Sequence, residues 1–424
     1  MRLGVAGLGT VAQGLFKLLR ENANRIARQI GEPISVSRVA SRTPKPEIDI
    51  LGAEFSTSLE SLISPDVDIV VELIGGVDAA NKLIADALQS GKPVVTANKA
   101  VLARFGNSHI ACANKHNVPL GFEASVAGGI PIVATIKDGL AGNHIDSIYG
   151  VLNGTCNFIL TEMDRHGSAF DAALHQAQQL GYAESDPSFD IDGVDAAQKL
   201  AILGSIAFDQ PIDMDDVYIE GITKVDAEDL KYARELGYRV KHLALARIFN
   251  SSVEMRVHPA LVSEHNLLAF VDGVENAISI AGNGVGSLLL KGPGAGARPT
   301  ASAVLSDIIE IARGKSSLPA TTGIARIASS MEELECAYYL YIPVFDEPGV
   351  MATLADVFGK HRISMEAVIQ KSDAIRYSED TRWVPVVVLT DRTSESVKNA
   401  TEQDLQNLDY VQGQIRRIRV VELN

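Results

Sequence analysis

Cysteine is scarce in this sequence: Cys112, Cys156 and Cys336 are odd in number, far apart and without C-x-x-C spacing. Such thiols build neither a disulfide framework nor a zinc site, and they predict a reducing compartment, the cytoplasm. Apolar runs are short, and none approaches the roughly 20 residues that cross a bilayer. From Met1 the chain enters an apolar strand and a glycine loop with no hydrophobic leader or cleavage site, so a soluble, unexported protein is expected. Cations are outnumbered, 38 Lys and Arg against 53 Asp and Glu, and the formal net charge of −15 repels nucleic-acid phosphate and anionic lipid. No basic stripe with interleaved aromatics offsets that repulsion, which argues against a nucleic-acid or membrane partner. Solenoid repeats and low-complexity tracts are missing too.

What is present is globular: 46% hydrophobic and 21% charged residues in a chain of 424, a length that predicts two or three domains. Residues 1–120 alternate β-like runs with helical ones: LGVA, a helix over 10–30, ISVSRVA, DIVVELI, a helix over 78–90, PVVTA, a helix over 100–116 and VPLGF. That alternation predicts α/β architecture, a doubly wound parallel sheet of the Rossmann type. Residues 121–330 mix helices, notably 195–208 and 300–313, with β-like DSIYGVLN and SLLLKG, and predict an α+β domain whose sheet packs against the first. The small and polar segment 316–335 reads as a connector. Residues 337–421 carry AYYLYIPVF, the turn DEPG, a helix over 350–361, further strands, a helix and RIRVV, in the order of a ferredoxin-like β-α-β-β-α-β unit.

LGVAGLGTVAQG places Gly7, Gly9 and Ala12 as G-x-G-x-x-A between the first strand and a helix. Gly7 permits the tight turn, Gly9 lets a pyrophosphate approach the backbone and Ala12 allows close helix–strand packing. The N–H groups of Thr10 and Val11, at the helix start, then face the phosphates. In this strand–turn–helix context the motif predicts a dinucleotide cofactor. The second strand ends VASRT, with Ser41 and Arg42 where an acid would meet a ribose 2′-hydroxyl. A cation there suits a 2′-phosphate, so NADP is expected over NAD; the alternative is a solvated arginine. ELIGG (72–76) and TANKA (96–100) end strands on the ligand side of an open parallel sheet, where Lys99 either reaches cofactor or substrate or caps a helix.

The stretch GYAESDPSFDIDGVDAAQKL puts Glu184, Asp186, Asp190, Asp192 and Asp195 ahead of the lone cation Lys199. By itself it suits a solvated acidic loop capping a helix. Asp195 and Lys199 stand at i and i+4 of the predicted helix, on one face and within pairing distance. The bland counterpart is a surface ion pair worth about 0.3–0.5 kcal/mol. Asp186 before Pro187 and Asp192 before Gly193 read as turn residues.

GLGTVAQG, TANK, GFEASVAGGIPI, NGTCNFIL, the acid-rich stretch through DAAQKLAIL and GPGAGARPTASAV, in this order over essentially the whole chain, resemble homoserine dehydrogenase. The departures are Ala12 for the third loop glycine and Cys156 for the second Thr of NGTTN; neither removes a reacting group. The resemblance implies reversible hydride transfer between L-aspartate 4-semialdehyde and L-homoserine with a nicotinamide cofactor. It also implies that Glu184 contacts the substrate amino group, that Asp190 and Asp195 line the substrate pocket, and that Gly181 approaches the nicotinamide. Lys199 is the implied proton donor, with Lys99 the next candidate. The chemistry agrees, because the substrate carries an ammonium and a carboxylate and the alkoxide formed on reduction needs an acid. A lysine held by a carboxylate, with burial opposing its charge, can donate near neutral pH. A monovalent cation, Na+, is implied on Glu123 and the carbonyls of Val126, Gly128 and Ile130, all hard oxygen donors. Gly294 and Gly296 of GPGAG either let the backbone touch the cofactor or make a tight turn.

Two competing functions stay open at this point. Cys156 as the thioester-forming nucleophile of a semialdehyde dehydrogenase needs a base, His144 or His166, beside it. An inert amino-acid sensor would use only the C-terminal unit. That unit resembles the ACT module, whose D-x-P-G turn would let helix N–H groups at Gly349 meet a ligand carboxylate. Allosteric L-threonine is the implied ligand, pure dimerisation the alternative. A homodimer or homotetramer is expected, and a chain cut after about residue 330 is expected to stay active but deaf to threonine.

Overall fold

The computed structural model describes residues 1–249, 252–314, 329–371, 374–378 and 381–423. The connector expected over 316–335 therefore lies, as far as residue 328, outside the described residues.

The alternating apolar runs of the N-terminal segment form six strands, β1 (Arg2–Ala6), β2 (Ser35–Ala40), β3 (Glu54–Ser56), β4 (Ile69–Glu72), β5 (Val94–Thr96) and β6 (Leu120–Gly121). All their pairings are parallel, in the order β3-β2-β1-β4-β5-β6. Strands such as IVVE in β4 are buried throughout, as a parallel sheet covered on both faces requires. The covering helices are α1 (Thr10–Glu21), α2 (Ala23–Ile30), α3 (Asp78–Gln89) and α4 (Lys99–His116). The single helix expected over 10–30 is two, because Asn22 leaves helical geometry at φ −108 and ψ 11. Strand order reverses at β1 and β4, and the crevice at their carboxyl ends receives the glycine loop.

The rest of the chain continues through α5 (Ile132–Ala134), β7 (Ile145–Val151), α6 (Gly154–His166), α7 (Phe170–Gln179), α8 (Ser188–Ile191), α9 (Val194–Ala207), β8 (Tyr218–Ile219) and α10 (Ala227–Glu235). There follow β9 (Tyr238–Phe249), β10 (Ser252–Ser263), β11 (Glu275–Gly282), β12 (Gly286–Pro293) and α11 (Ala297–Ala312). The last part holds β13 (Glu335–Cys336), β14 (Tyr338–Phe345), α12 (Val350–Lys360), β15 (Met365–Gln370), β16 (Arg376–Ser378), β17 (Thr381–Thr390), β18 (Thr393–Ser394), α13 (Glu395–Gln406) and β19 (Arg416–Val421).

One mixed sheet joins these parts, in the order β12-β11-β7-β9-β10-β19-β14-β17-β15. The β-α-β-β-α-β order expected near the C-terminus is present, but its sheet is not separate. β19 runs parallel to β10, with Ala260 opposite Arg419 and Val262 opposite Val421. Arg419 is buried at this seam, donating from Nη2 to Glu395 and from Nη1 to Glu220, both at 2.7 Å. Apolar side chains of α6, α10, β14, β17 and β19 share one core.

α11 returns to the first sheet, where Ala301, Val304 and Ile308 pack with Leu3, Val5 and Leu15. Gly14 of α1 makes that approach possible, since a Cβ there would stand 2.3 Å from the Ala297 carbonyl oxygen. Among the described residues no helix is long and apolar enough to cross a membrane.

The shared sheet leads to a second, different expectation for a shortened chain. Cutting after residue 330 would free the edge of β10 and uncover the apolar faces now covered by Tyr339, Tyr341 and Val420. Little soluble protein is expected, and near-UV circular dichroism of any recovered fraction should lack the full chain's fixed aromatic signal. A soluble fragment with native-like near-UV bands would show that the two parts fold independently.

Candidate active site

Gly193 ends the acid-rich loop at φ +91, a left-handed turn that L side chains rarely adopt, and α9 starts directly after it. The turn places Asp195 in the first helical turn and Lys199 one turn on, both buried. Their i, i+4 spacing closes as sequence periodicity predicts, Lys199 Nζ to Asp195 Oδ2 at 2.7 Å. The same ammonium donates to the Leu152 carbonyl at 2.7 Å, an oxygen that also accepts from Asn276 Nδ2 at 2.9 Å. An ammonium has three donors. With two engaged, one is left for a ligand.

Lys99 opens α4 and sets its Nζ 3.1 Å from Asp195 Oδ1, so one carboxylate holds two lysines. Its ammonium also lies 5.6 Å from the centre of the exposed Phe189 ring. Burial pushes the Asp195 carboxyl up, but the charges of Lys199 and Lys99 and the bonds from Lys199 and Asn153 outweigh it and hold the group at about 2. The folded value lies below the reference 3.8, so this carboxylate stabilises the fold above that pH and the contribution fades as pH falls toward 2. Asp190 behaves oppositely: burial raises it, although Asn153 Nδ2 donates at 2.7 Å and Thr155 Oγ1 at 3.3 Å.

A cavity of about 550 Å³ lies over these groups. Val11, Lys99, Gly128, Gly181, Asp190, Asp195, Lys199, Gly294 and Gly296 all line it, so stretches far apart in sequence meet there. Val11 stands at the start of α1, above the glycine loop. Gly7 has φ +103, and a Cβ on it would sit 2.5 Å from the Leu73 carbonyl, whereas a Cβ on Gly9 would enter open space. Gly9 caps α1 without a side-chain acceptor. A close turn, an open approach and an uncapped helix start fit a pyrophosphate. Thr10 is exposed beside them.

Other expected residues stand apart. Glu184 is exposed and does not line the cavity, although Tyr182 and Asp190 on either side of it do. Arg42 is exposed after β2 and forms no ion pair among the described residues. Asp186 accepts from Ser188 N at 3.1 Å and Ser188 Oγ at 2.6 Å, a local turn. Sequence reasoning missed Lys45, whose Nζ donates to Leu8 O of the glycine loop at 3.2 Å. It also gave no part to Asn153, Thr155 and Asn276. Asn153 and Thr155 stood in the quoted NGTCN run, but their partners are 27 to 42 residues away, and no local spacing encodes that.

The family model described as homoserine dehydrogenase matches residues 131–309, and the one described as homoserine dehydrogenase, NAD binding domain, matches residues 7–123. The homoserine dehydrogenase of Pseudomonas aeruginosa is 42% identical over 436 residues, covering 100% of this chain and 99% of that protein. The crystal structure of a homoserine dehydrogenase from Thiobacillus denitrificans superposes with a TM-score of 0.93 at 41% identity, covering 100% of this chain and 99% of that one. The chain belongs to the homoserine dehydrogenase family. It is an oxidoreductase with an NAD-binding segment at its N-terminus. A hyperthermophilic archaeal homoserine dehydrogenase, solved in complex with NADPH, is similar at a TM-score of 0.64 and 29% identity, covering 75% of this chain and 99% of that one.

Within the enzyme, Glu123 is 2% exposed, and its two carboxylate oxygens accept from Val133 N at 2.9 Å and Ala134 N at 2.7 Å. Burial pushes this carboxyl up. Val126, Gly128 and Ile130 follow on one tight loop, with Ala127 and Gly128 at φ +53 and +55. Carboxylate and carbonyl oxygens without thiol or imidazole suit a hard cation. This loop packs against GPGAG, since a Cβ on Gly128 would stand 2.6 Å from the Gly294 carbonyl.

Cys156 fails as a nucleophile. Its side chain is fully buried with Sγ donating to the Asp190 carbonyl at 3.1 Å, and burial followed by the charges of Asp190 and Asp195 raises the thiol well above its ordinary value. His144 and His166 are exposed elsewhere, the latter against Glu162. Neither histidine bonds the sulfur.

Proposed function

We propose that the enzyme interconverts L-aspartate 4-semialdehyde and L-homoserine with Lys199 as the proton donor. The observation that carries this is the buried Lys199 ammonium, tied by Leu152 and Asp195 and bordering the cavity with one donor to spare. When bound, the nicotinamide supplies the hydride. Lys199 gives a proton to the alkoxide that forms as the aldehyde is reduced, and Asp195 keeps the ammonium in place. Lys99, on the other oxygen of Asp195, adds positive charge near that alkoxide and is the second candidate donor. Asp190 and Asp195 border the substrate, and Glu184, between two cavity-lining residues, accepts from the substrate ammonium.

Gly7, Gly9, Thr10 and Val11 hold the pyrophosphate, Gly294 and Gly296 form the facing wall and Gly181 approaches the nicotinamide side. Arg42 meets a 2′-phosphate, which favours NADP; Lys45 beside the glycine loop adds a second cation on that flank. Glu123, Val126, Gly128 and Ile130 hold a monovalent cation, Na+, which steadies the loop against GPGAG. Residues 337–421 act as an ACT regulatory unit that binds L-threonine, supported by the strand order and by Gly349 at φ +97 at the start of α12. A cytoplasmic homodimer or homotetramer completes the proposal. Free thiols support the compartment, and the edge strand β12, with half-buried Leu288, Leu289 and Leu290, supports self-association.

Substitution Lys199→Met is expected to lower kcat for NADPH-dependent reduction of L-aspartate 4-semialdehyde by about 10²–10⁴ while cofactor binding stays near normal. More than half of the wild-type kcat would assign the proton to another group. For Arg42→Ala, the KM for NADPH should rise much more than that for NADH, because only the phosphorylated cofactor loses a contact worth about 1.5–3 kcal/mol. Equal shifts for both cofactors would contradict a 2′-phosphate contact. Full-length enzyme should be inhibited by millimolar L-threonine, and Gly349→Asp should blunt this with kcat unchanged, coupling being about 1–3 kcal/mol. Indifference of the wild type to threonine would leave the unit a dimerisation element.

A further inference from the structure

Resting on that reading of the reaction, one residue outside the expected set has a geometry no helix cap needs. Asn153 is buried and caps α6, its Oδ1 accepting from Cys156 N at 2.8 Å. Its Nδ2 donates to Asp190 Oδ1 at 2.7 Å and to Asp195 Oδ2 at 2.9 Å. Among the described residues no other side chain is bonded to both acids. Two like charges that close repel, and a donor bonded to each keeps them side by side without neutralising either. Asp195 Oδ2 then takes Asn153 and Lys199 while Oδ1 faces Lys99. Asn153 is thus one of three groups that orient the carboxylate holding Lys199.

We propose that Asn153 is the positioning residue of this site: it locks Asp190 and Asp195 in register so that Lys199 presents its proton to the substrate oxygen. It lines the cavity beside these groups and acts on the reaction through the two acids. The titratable groups facing Asp190 and Asp195 are Lys199 from α9, Lys99 from α4, Cys156 from α6 and His242 from β9.

Two variants separate positioning from capping, because Ser and Asp are as good helix caps as Asn. Asn153→Ser keeps an oxygen for Cys156 N and cannot bridge the acids. It should fold with unchanged NADPH affinity, read by cofactor fluorescence, while kcat falls about 10–10²-fold, the effect of a slightly misplaced reacting group. Asn153→Asp keeps shape and cap but sets a third carboxylate beside two others. Below its raised pKa that group regains one O–H donor, so its deficit relative to wild type should shrink as pH falls from 8 to 6. Asn153→Ser with more than half of the wild-type kcat would reduce the residue to a cap. A deficit in both variants that follows lost thermal stability and ignores pH would overturn positioning as well. Wild-type enzyme without turnover would instead overturn the proposed reaction, and this role with it.

Discussion

The site depends on one buried anion. Asp195 is taken out of water at the start of α9 and receives Lys199, Lys99 and Asn153 together. An unpaired carboxylate at that depth would take up a proton or unfold its surroundings, whereas three donors keep it ionised. Because the donors come from three separate parts of the chain, the carboxylate also fixes where those parts meet. α4 from the parallel sheet, α9 from the middle segment and the end of β7 are registered on a single functional group. Correct assembly of the fold and correct placement of the ammonium are thus the same event.

The mixed sheet extends that logic to the C-terminal unit. Arg419 of β19 pairs with Glu220, the Glu220 carbonyl takes His242 Nε2 at 3.1 Å, and His242 lies beneath Gly193, where a Cβ would stand 3.2 Å from its ring. Gly193 is the residue before α9. Burial holds His242 down at about 4, so the ring stays neutral and packs without a counter-ion. Contacts therefore run without a gap from the edge of the C-terminal unit to the helix carrying Asp195 and Lys199. A ligand that altered β19 would act along this line of direct contacts and would need no moving linker.

Local patterns carried a large part of this in the sequence. The glycine loop at the end of an apolar run, the period of the helices over 78–90 and 100–116, and the i, i+4 spacing of Asp195 and Lys199 all depend on residues within a few turns of one another. They appear as α3, α4 and the α9 ion pair. The same local logic placed Gly294 and Gly296 in a loop without choosing between cofactor contact and a plain turn. It missed β3, a three-residue strand with no buried face, and the break at Asn22, where no glycine or proline marks the chain.

What composition and spacing determined by themselves was a reduced, acidic, dinucleotide-binding chain with a carboxylate and an ammonium on one helical face, since backbone geometry converts those patterns directly into shape. Only the tertiary structure decided that one carboxylate serves two lysines, that Asn153 spans two acids, that α11 returns to the first sheet and that β19 completes the second. Each of these joins residues separated by tens to hundreds of positions. Such contacts are chosen by burial and by the requirement that every buried charge find its partner, conditions that exist only once the whole chain has closed.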